Sequence, residues 1–285
     1  MAKIQGKAKK FDGTPIDYVM FFDWFTGGCI GKAVPDLAGN WSFNYYRSLN
    51  YGITYIADGC EPLTHGKYEF SVSAPADSIL HYPFDGSTKD YSLRQMDGVI
   101  SGNVTFTEGR KSDTKAARFM DGFVKTPSDL IIGKDKSTIS FWIKPIDFIN
   151  VGVIAEIGAN FSTTNSFLLA INDSGAGEVS GAHNGYGITH AKRSSVKLQN
   201  EWAHVLFDID KARAANDETR IYVNNVNVTA KLNDNDNDTS GVLNSGILYI
   251  GKRNGATLPL KGDLQDFRIY DRTLTESERN LLFTE

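Results

Sequence analysis

Cysteine is scarce. The 285 residues hold two, Cys29 and Cys60, too few for a disulfide scaffold. A bridge between them would close a loop of about thirty residues, worth roughly 3–4 kcal/mol in the chain-entropy account, but a reducing site of synthesis favours free thiols. No window holds the roughly 18 consecutive apolar residues of a membrane span. The start, MAKIQGKAKKFDG, is not followed by an apolar stretch of signal-peptide length. Positive charge is not in excess either: 30 Lys and Arg face 34 Asp and Glu, a net charge of −4. A mainly electrostatic nucleic-acid binder would be basic. The expectation is a soluble chain made in the cytoplasm, with no nucleic-acid partner and no membrane insertion. Catalytic signatures are missing as well. The five histidines, His65, His81, His183, His190 and His204, include no HExxH pair. The cysteines are not spaced as CxxC, and there is no G-x-S-x-G elbow, Walker loop or dinucleotide fingerprint.

What is present is β-forming. Glycine is abundant at 27 residues, and aromatics make up 12% of the chain; many turns with many aromatics favour strands. Six candidate strands fill the first 75 residues: Ile4–Lys10, Tyr18–Trp24, Cys29–Val34, Asn40–Tyr46, Gly52–Ala57 and Lys67–Ser73. In the fourth, Trp41, Phe43 and Tyr45 alternate with Ser42 and Asn44, the period of a half-buried strand. Residues 74–78, Ala-Pro-Ala-Asp-Ser, read as a linker. Residues 1–75 carry seven basic and seven acidic side chains, so the whole net charge falls on 76–285, with 23 and 27. Nine further strands are expected between Leu80 and Tyr270, and one helix over Glu276–Phe283, where Thr275 and Glu278 form a capping box. The fold class is therefore all-β: a small sandwich over 1–75 and a two-sheet jelly roll with a short C-terminal helix over 76–285. Trp142, in ISFWIKP, and Trp202, in EWAHV, are expected in the core, and His204 is expected to be a hydrogen-bonded structural histidine.

The second region carries ILHYPFDGSTKDYS at 79–92, DGVISGNVTFTEGRKSDTKAARFMDG at 97–122, STISFWIKP at 137–145, EWAHVLFDID at 201–210, TRIYVNNVNVTA at 219–230, GILYIGKRNG at 246–255 and KGDLQDFRIYDRTLTESERNLLF at 261–283. In that order these blocks resemble the laminin-G-like members of the concanavalin A-like lectin/glucanase superfamily. The first region carries GKAKKFDGTPIDYVMFFDW at 6–24, PDLAGNWSFNY at 35–45 and GITYIADG at 52–59, and is similar to the transthyretin-like regulatory modules of carboxypeptidases. An adaptor sandwich before a laminin-G-like jelly roll resembles bacteriophage tail-associated or virion-surface proteins.

The resemblance directs a search for paired carboxylates, since a retaining glycosidase needs two about 5–5.5 Å apart. No ExDxxE-type run occurs; the nearest candidate is Asp208-Ile209-Asp210, whose competing reading is a solvated strand end. The expected function is therefore a non-enzymatic virion protein whose jelly roll displays or binds host-surface glycan. The alternatives are a glycoside hydrolase or lyase on the same fold, and a structural decoration with no ligand. The resemblance also implies one structural Ca²⁺ tying the first strand to the last, with Asp85 and Asp266 as ligands, a backbone carbonyl near Asp121-Gly122 as a third, and Asp90 as the alternative in the first loop. Against it stands a turn at Asp85-Gly86 and a local hydrogen bond from Asp266. For a sugar, Tyr186 in the glycine-rich stretch His183-Asn184-Gly185-Tyr186-Gly187 is the stacking platform, with Asn184 and His183 beside it at a solvent-exposed loop. Phe21, Phe22, Trp24 and Phe25 crowd five positions, and a strand alternates faces. Phe22, Trp24 and Phe25 therefore mark an attachment surface through which residues 1–75 join other virion proteins in an oligomeric assembly.

Overall fold

A computed structural model describes the chain apart from residues 1, 11–12, 24–28, 46–49, 57–62, 70–74, 76, 93, 134, 158–166, 174, 186–187, 215–216, 232–242 and 244. The chain divides into two compact units, Met1–Ala76 and Asp77–Thr284. No described helix is long and apolar enough to cross a membrane.

The first unit has six strands: β1 (Ala2–Lys7), β2 (Tyr18–Asp23), β3 (Cys29–Ala33), β4 (Asn40–Tyr45), β5 (Asn50–Ile56) and β6 (Leu63–Glu69). β1 pairs with β4, and a second sheet runs β3-β2-β5-β6. The alternation in β4 decides the packing. Trp41 points at the second sheet and meets Phe21 of β2 edge-on, with ring centroids 5.7 Å apart, and Tyr55 of β5 at 6.3 Å. Ile16, Val19, Ala33 and Ile53 complete this small core. The last strand lies earlier than the sequence pattern suggested, at Leu63–Glu69 rather than Lys67–Ser73.

The second unit is a larger sandwich built from β7 (Leu80–Tyr82), β8 (Val99–Glu108), β9 (Lys115–Lys125), β10 (Lys136–Pro145), β11 (Gly152–Ile157), β12 (Phe167–Ile171), β13 (Val179–Gly185), β14 (Ile188–Ser194), β15 (Ala203–Asp210), β16 (Thr219–Val223), β17 (Val226–Asn227), β18 (Thr229–Lys231), β19 (Leu248–Ile250) and β20 (Gly262–Tyr270), closed by helix α1 (Glu276–Thr284). Every pair of these strands is antiparallel among the described residues. The hydrogen-bonded path runs β17-β16-β15-β10-β20-β9-β19-β11-β12-β13-β14-β18, with β7 also on β20 and β8 on β9. It makes two layers because β9 changes sheet midway. Its Ala117–Phe119 stretch pairs with β20, whereas Val124 and Lys125 pair with β19. The corner is glycine: a Cβ on Gly122 would lie 2.6 Å from the Asn103 backbone carbon of β8, so only glycine lets the two backbones meet at this bulge. Between the layers lie Phe84, Phe119, Phe141, Phe167, Phe207 and Phe267 with an aliphatic majority. A Cβ on Gly181 of β13 would collide with the Phe207 ring of β15, which shows how closely the two layers approach there.

Two expectations need correction. Trp202 precedes β15 and is half-buried rather than core, because the inward register of that strand belongs to Val205, Phe207 and Ile209. Trp142 is buried as expected, on the outer face of β10, sandwiched between the Phe283 ring of α1, 5.9 Å away and nearly parallel, and the Arg110 guanidinium 4.0 Å from its centroid. His183, Asn184 and Gly185, expected in a loop, are the end of β13, paired with β14. The capping box is as the sequence indicated: Thr275 N–H donates to the Glu278 carboxylate at 2.8 Å, and Glu278 N–H donates to Thr275 Oγ1 at 3.3 Å.

Candidate functional site

β7 is short and alternates strictly. Leu80 and Tyr82 point into the core, so His81 points out. Its partner across the pair is Arg268 of β20. Between β10 and β20 the register slips at Ser140/Trp142, and within that irregularity Asp266 adopts a left-handed backbone, φ 55°, with its N–H donating to Pro83 O. The slip turns the Asp266 carboxylate to face both side chains: His81 Nε2 lies 2.7 Å and Arg268 Nη2 2.9 Å from its Oδ1. Burial pushes the Asp266 carboxyl up, but the His81 hydrogen bond and the Arg268 charge outweigh it and leave it below its ordinary value.

The segment that follows β7 is organised by one buried carboxylate. Asp90 is 2% exposed. Its Oδ1 accepts the N–H groups of His81 and Ser92 at 2.9 Å, and its Oδ2 accepts Met96 N–H and the Ser92 hydroxyl at 2.8 Å. Asp90 N–H in turn donates to Asp97 Oδ1, Tyr91 N–H donates to His81 O, and Thr88 Oγ1 donates to Gly98 O. With its neighbours so fixed, Tyr91 stands 63% exposed. Its ring centroid is 6.2 Å from that of His81, and Lys89 Nζ sits 5.4 Å from it. The result is an open aromatic face on a rigid loop, flanked by an ammonium and by a His–Asp–Arg trio.

Several other carboxylates and a Ser–His pair that could suggest catalysis are buried. Ser140 Oγ and His204 Nε2 are 2.8 Å apart, the spacing of a nucleophile and its base, but both residues are buried and lie beneath Trp142 and Phe283. Asp208 is buried against Arg213 Nη2 at 2.6 Å and accepts from Thr138 Oγ1; burial pushes its carboxyl up, against the pull of Arg213. Asp210 pairs with Lys136 at 3.2 Å. Glu156 accepts the Asn254 N–H at 2.8 Å beneath the 252–257 turn, and burial raises its carboxyl too.

The four aspartates considered for calcium fall into four separate settings. Asp85 is exposed and accepts the Lys115 N–H at 2.6 Å. Asp121 is paired with Lys252 Nζ at 2.8 Å. Asp90 and Asp266 are engaged as described above. Among the described residues no three His, Cys, Asp or Glu side chains gather as a metal site. Of the sugar-binding trio, Tyr186 lies outside the described residues, and Asn184 is placed in β13 by its backbone alone. His183 is not at an exposed loop: it is 3% exposed, with Nε2 3.4 Å from buried Glu218, which also holds Lys211 at 3.0 Å. Burial pushes the His183 imidazole down. In the first unit Phe21 is buried and Phe22 half-buried, while Trp24 and Phe25 lie outside the described residues. Cys29 is a free, exposed thiol, and Cys60 is not among the described residues. Sequence reasoning passed over Tyr91 and His81. The available signal was the Leu80-His81-Tyr82 alternation, which sends the histidine outward, followed by Asp90-Tyr91-Ser92 in the same block.

A family model matches residues 119–278, more than half of the chain, and describes the concanavalin A-like lectin/glucanases superfamily. The chain belongs to that superfamily. No curated protein sequence matches it. Among solved structures, this concanavalin A-like chain is similar to domain 4 of AbnA, a GH43 extracellular arabinanase from Geobacillus stearothermophilus, in complex with arabinotriose. The identity is 20% and the TM-score 0.55, covering 73% of this chain and 98% of that one. It is also similar to the binding domain of botulinum neurotoxin serotype G, at 13% identity and a TM-score of 0.53, and to that of botulinum neurotoxin DC in complex with SialylT, at 16% and 0.53. Both matches cover 73% of this chain, which spans about half of each toxin domain, 50% and 51%. At such identities the likeness is one of concanavalin A-like fold.

Proposed function

We propose that the second unit is a non-catalytic glycan-binding jelly roll whose binding centre is Tyr91 with His81 and Lys89. The observation that carries this reading is the exposed tyrosine ring held on a loop pinned by a buried carboxylate. A pyranose offers an apolar C–H face to such a ring, and its hydroxyls take hydrogen bonds from adjacent polar groups. Rigidity matters because ordering a loop on binding costs affinity. Two proteins of similar fold were solved with arabinotriose and with SialylT, which supports a saccharide as the ligand class. The non-catalytic part of the reading rests on burial: Ser140, His204 and Asp208 are shut beneath side chains that a substrate would have to displace. On a glycan array, wild-type protein is expected to bind a defined subset of glycans. Tyr91→Ala is expected to weaken that binding about five- to tenfold, in line with an aromatic contact of roughly 1–1.5 kcal/mol. Array binding that survives Tyr91→Ala unchanged would move the site elsewhere.

The wider setting in this reading is a phage virion, with residues 1–75 attaching to the particle through the segment around Phe22 and the jelly roll presented outward. It is supported by the order of the units, a small sandwich with a half-buried aromatic on β2 followed by a lectin-like fold. Antibodies raised against the second unit are expected to label intact particles by immunogold microscopy. Labelling confined to infected-cell debris, with none on purified particles, would remove the virion assignment.

A further inference from the structure

We infer that the Tyr91 site takes an acidic sugar, a uronic or sialic acid residue, rather than a neutral one. This deepens the glycan-binding reading and rests on it. The argument is the distribution of charge around the ring. Asp90 is sealed beneath the loop with four donors on its two oxygens. Asp97 is exposed and keeps its charge, with its Oδ1 turned to the Asp90 N–H. The Asp266 carboxylate has a histidine on one side and a guanidinium on the other. The charge set on the aromatic face itself is the Lys89 ammonium, 5.4 Å from the Tyr91 centroid, on an exposed side chain that makes no ion pair among the described residues. The contact with the ring keeps that ammonium beside the binding face in the free protein, since a cation is attracted to the negative face of an aromatic.

A sugar stacking on Tyr91 takes the place of the ammonium over the ring and pushes Lys89 to the rim of the ligand. For a neutral sugar this forfeits the cation–π contact and returns only a hydrogen bond. For an acidic sugar the displaced ammonium meets the ring carboxylate and forms a charge-assisted hydrogen bond, roughly twice as strong as a neutral one. The site therefore discriminates by charge.

The test uses two matched pairs of probes on the full chain by titration calorimetry: 3′-sialyllactose against lactose, and trigalacturonic acid against its methyl ester. The acidic member of at least one pair is expected to bind about tenfold tighter. That gap should close in about 0.5 M NaCl, where exposed charges are screened. Lys89→Gln should bring the acidic member down to the affinity of its neutral counterpart, and Tyr91→Ala should weaken both. Equal binding of acidic and neutral members, still dependent on Tyr91, overturns the acidic assignment and leaves glycan binding standing. No binding of any probe or array glycan overturns both.

Discussion

Asp90→Ala is expected to destabilise the second unit by about 4 kcal/mol and to abolish binding at Tyr91. The substitution removes the acceptor for three backbone N–H groups, those of His81, Ser92 and Met96, and for the Ser92 hydroxyl. An orphaned buried donor costs about 1–3 kcal/mol. Ser92 is buried, while His81 and Met96 are half-buried and reach water on relaxation, so the sum lies well below four full penalties. The same hydrogen bonds hold Tyr91 upright, so stability and binding should fall together. Asp90→Asn keeps one carbonyl oxygen and should cost about half as much. Urea unfolding followed by tryptophan fluorescence gives the stability, and calorimetry gives the binding. An alanine variant within about 1 kcal/mol of wild type would show that the loop does not depend on this carboxylate.

The elements that could be read from sequence are those whose local pattern and tertiary role agree. β4 alternates aromatic and polar residues because one face packs on Phe21 and Tyr55, and α1 starts where its capping box places it. The elements that were missed are those where tertiary packing demands residues that weaken the local signal. β13 has glycine at an inward position because the Phe207 ring occupies the space of a side chain, and a buried histidine further along because Glu218 receives it. Glycine followed by histidine and asparagine reads as a loop, so the hairpin was invisible. β8 was missed for the opposite reason: it is largely solvent-facing, with Val99 and Ile100 exposed and a bulge at Asn103/Val104, so only Val104 and Phe106 mark its inward face. The same logic applies to the site. A glycine-rich stretch drew attention to Tyr186, whereas the exposed aromatic of the described residues is Tyr91, displayed by hydrogen bonds to an aspartate that the sequence alone could equally assign to a metal.

Between about pH 6.5 and pH 4.5 the second unit is expected to lose about 2 kcal/mol of stability through His204 alone. Burial pushes this imidazole down to about 4, with the Asp266 charge opposing and the Arg110 and Arg268 charges reinforcing the shift. The surroundings explain why. His204 is 2% exposed, its Nε2 is hydrogen-bonded to Ser140, and the Trp142 and Phe283 rings pack against it at 5.2 and 6.1 Å. The fold therefore holds the neutral ring, while the unfolded chain takes up a proton below about pH 6.5. Where the unfolded state binds more protons, stability rises with pH. The contribution is thus complete above pH 6.5 and is lost as pH falls toward 4. His183, also pushed down by burial, acts in the same direction. Asp208 and Glu156 act in the opposite one, because their raised carboxyls favour proton uptake by the fold. The His204 part is isolated by difference: urea unfolding of wild type and His204→Gln at pH 7.5 and pH 4.5. Glutamine can still hydrogen-bond to Ser140 but does not titrate, so the variant, less stable at pH 7.5, should lose about 2 kcal/mol less than wild type on acidification. Equal losses in the two proteins would mean that His204 titrates as an ordinary exposed imidazole and that the face beneath Trp142 and α1 is open to water.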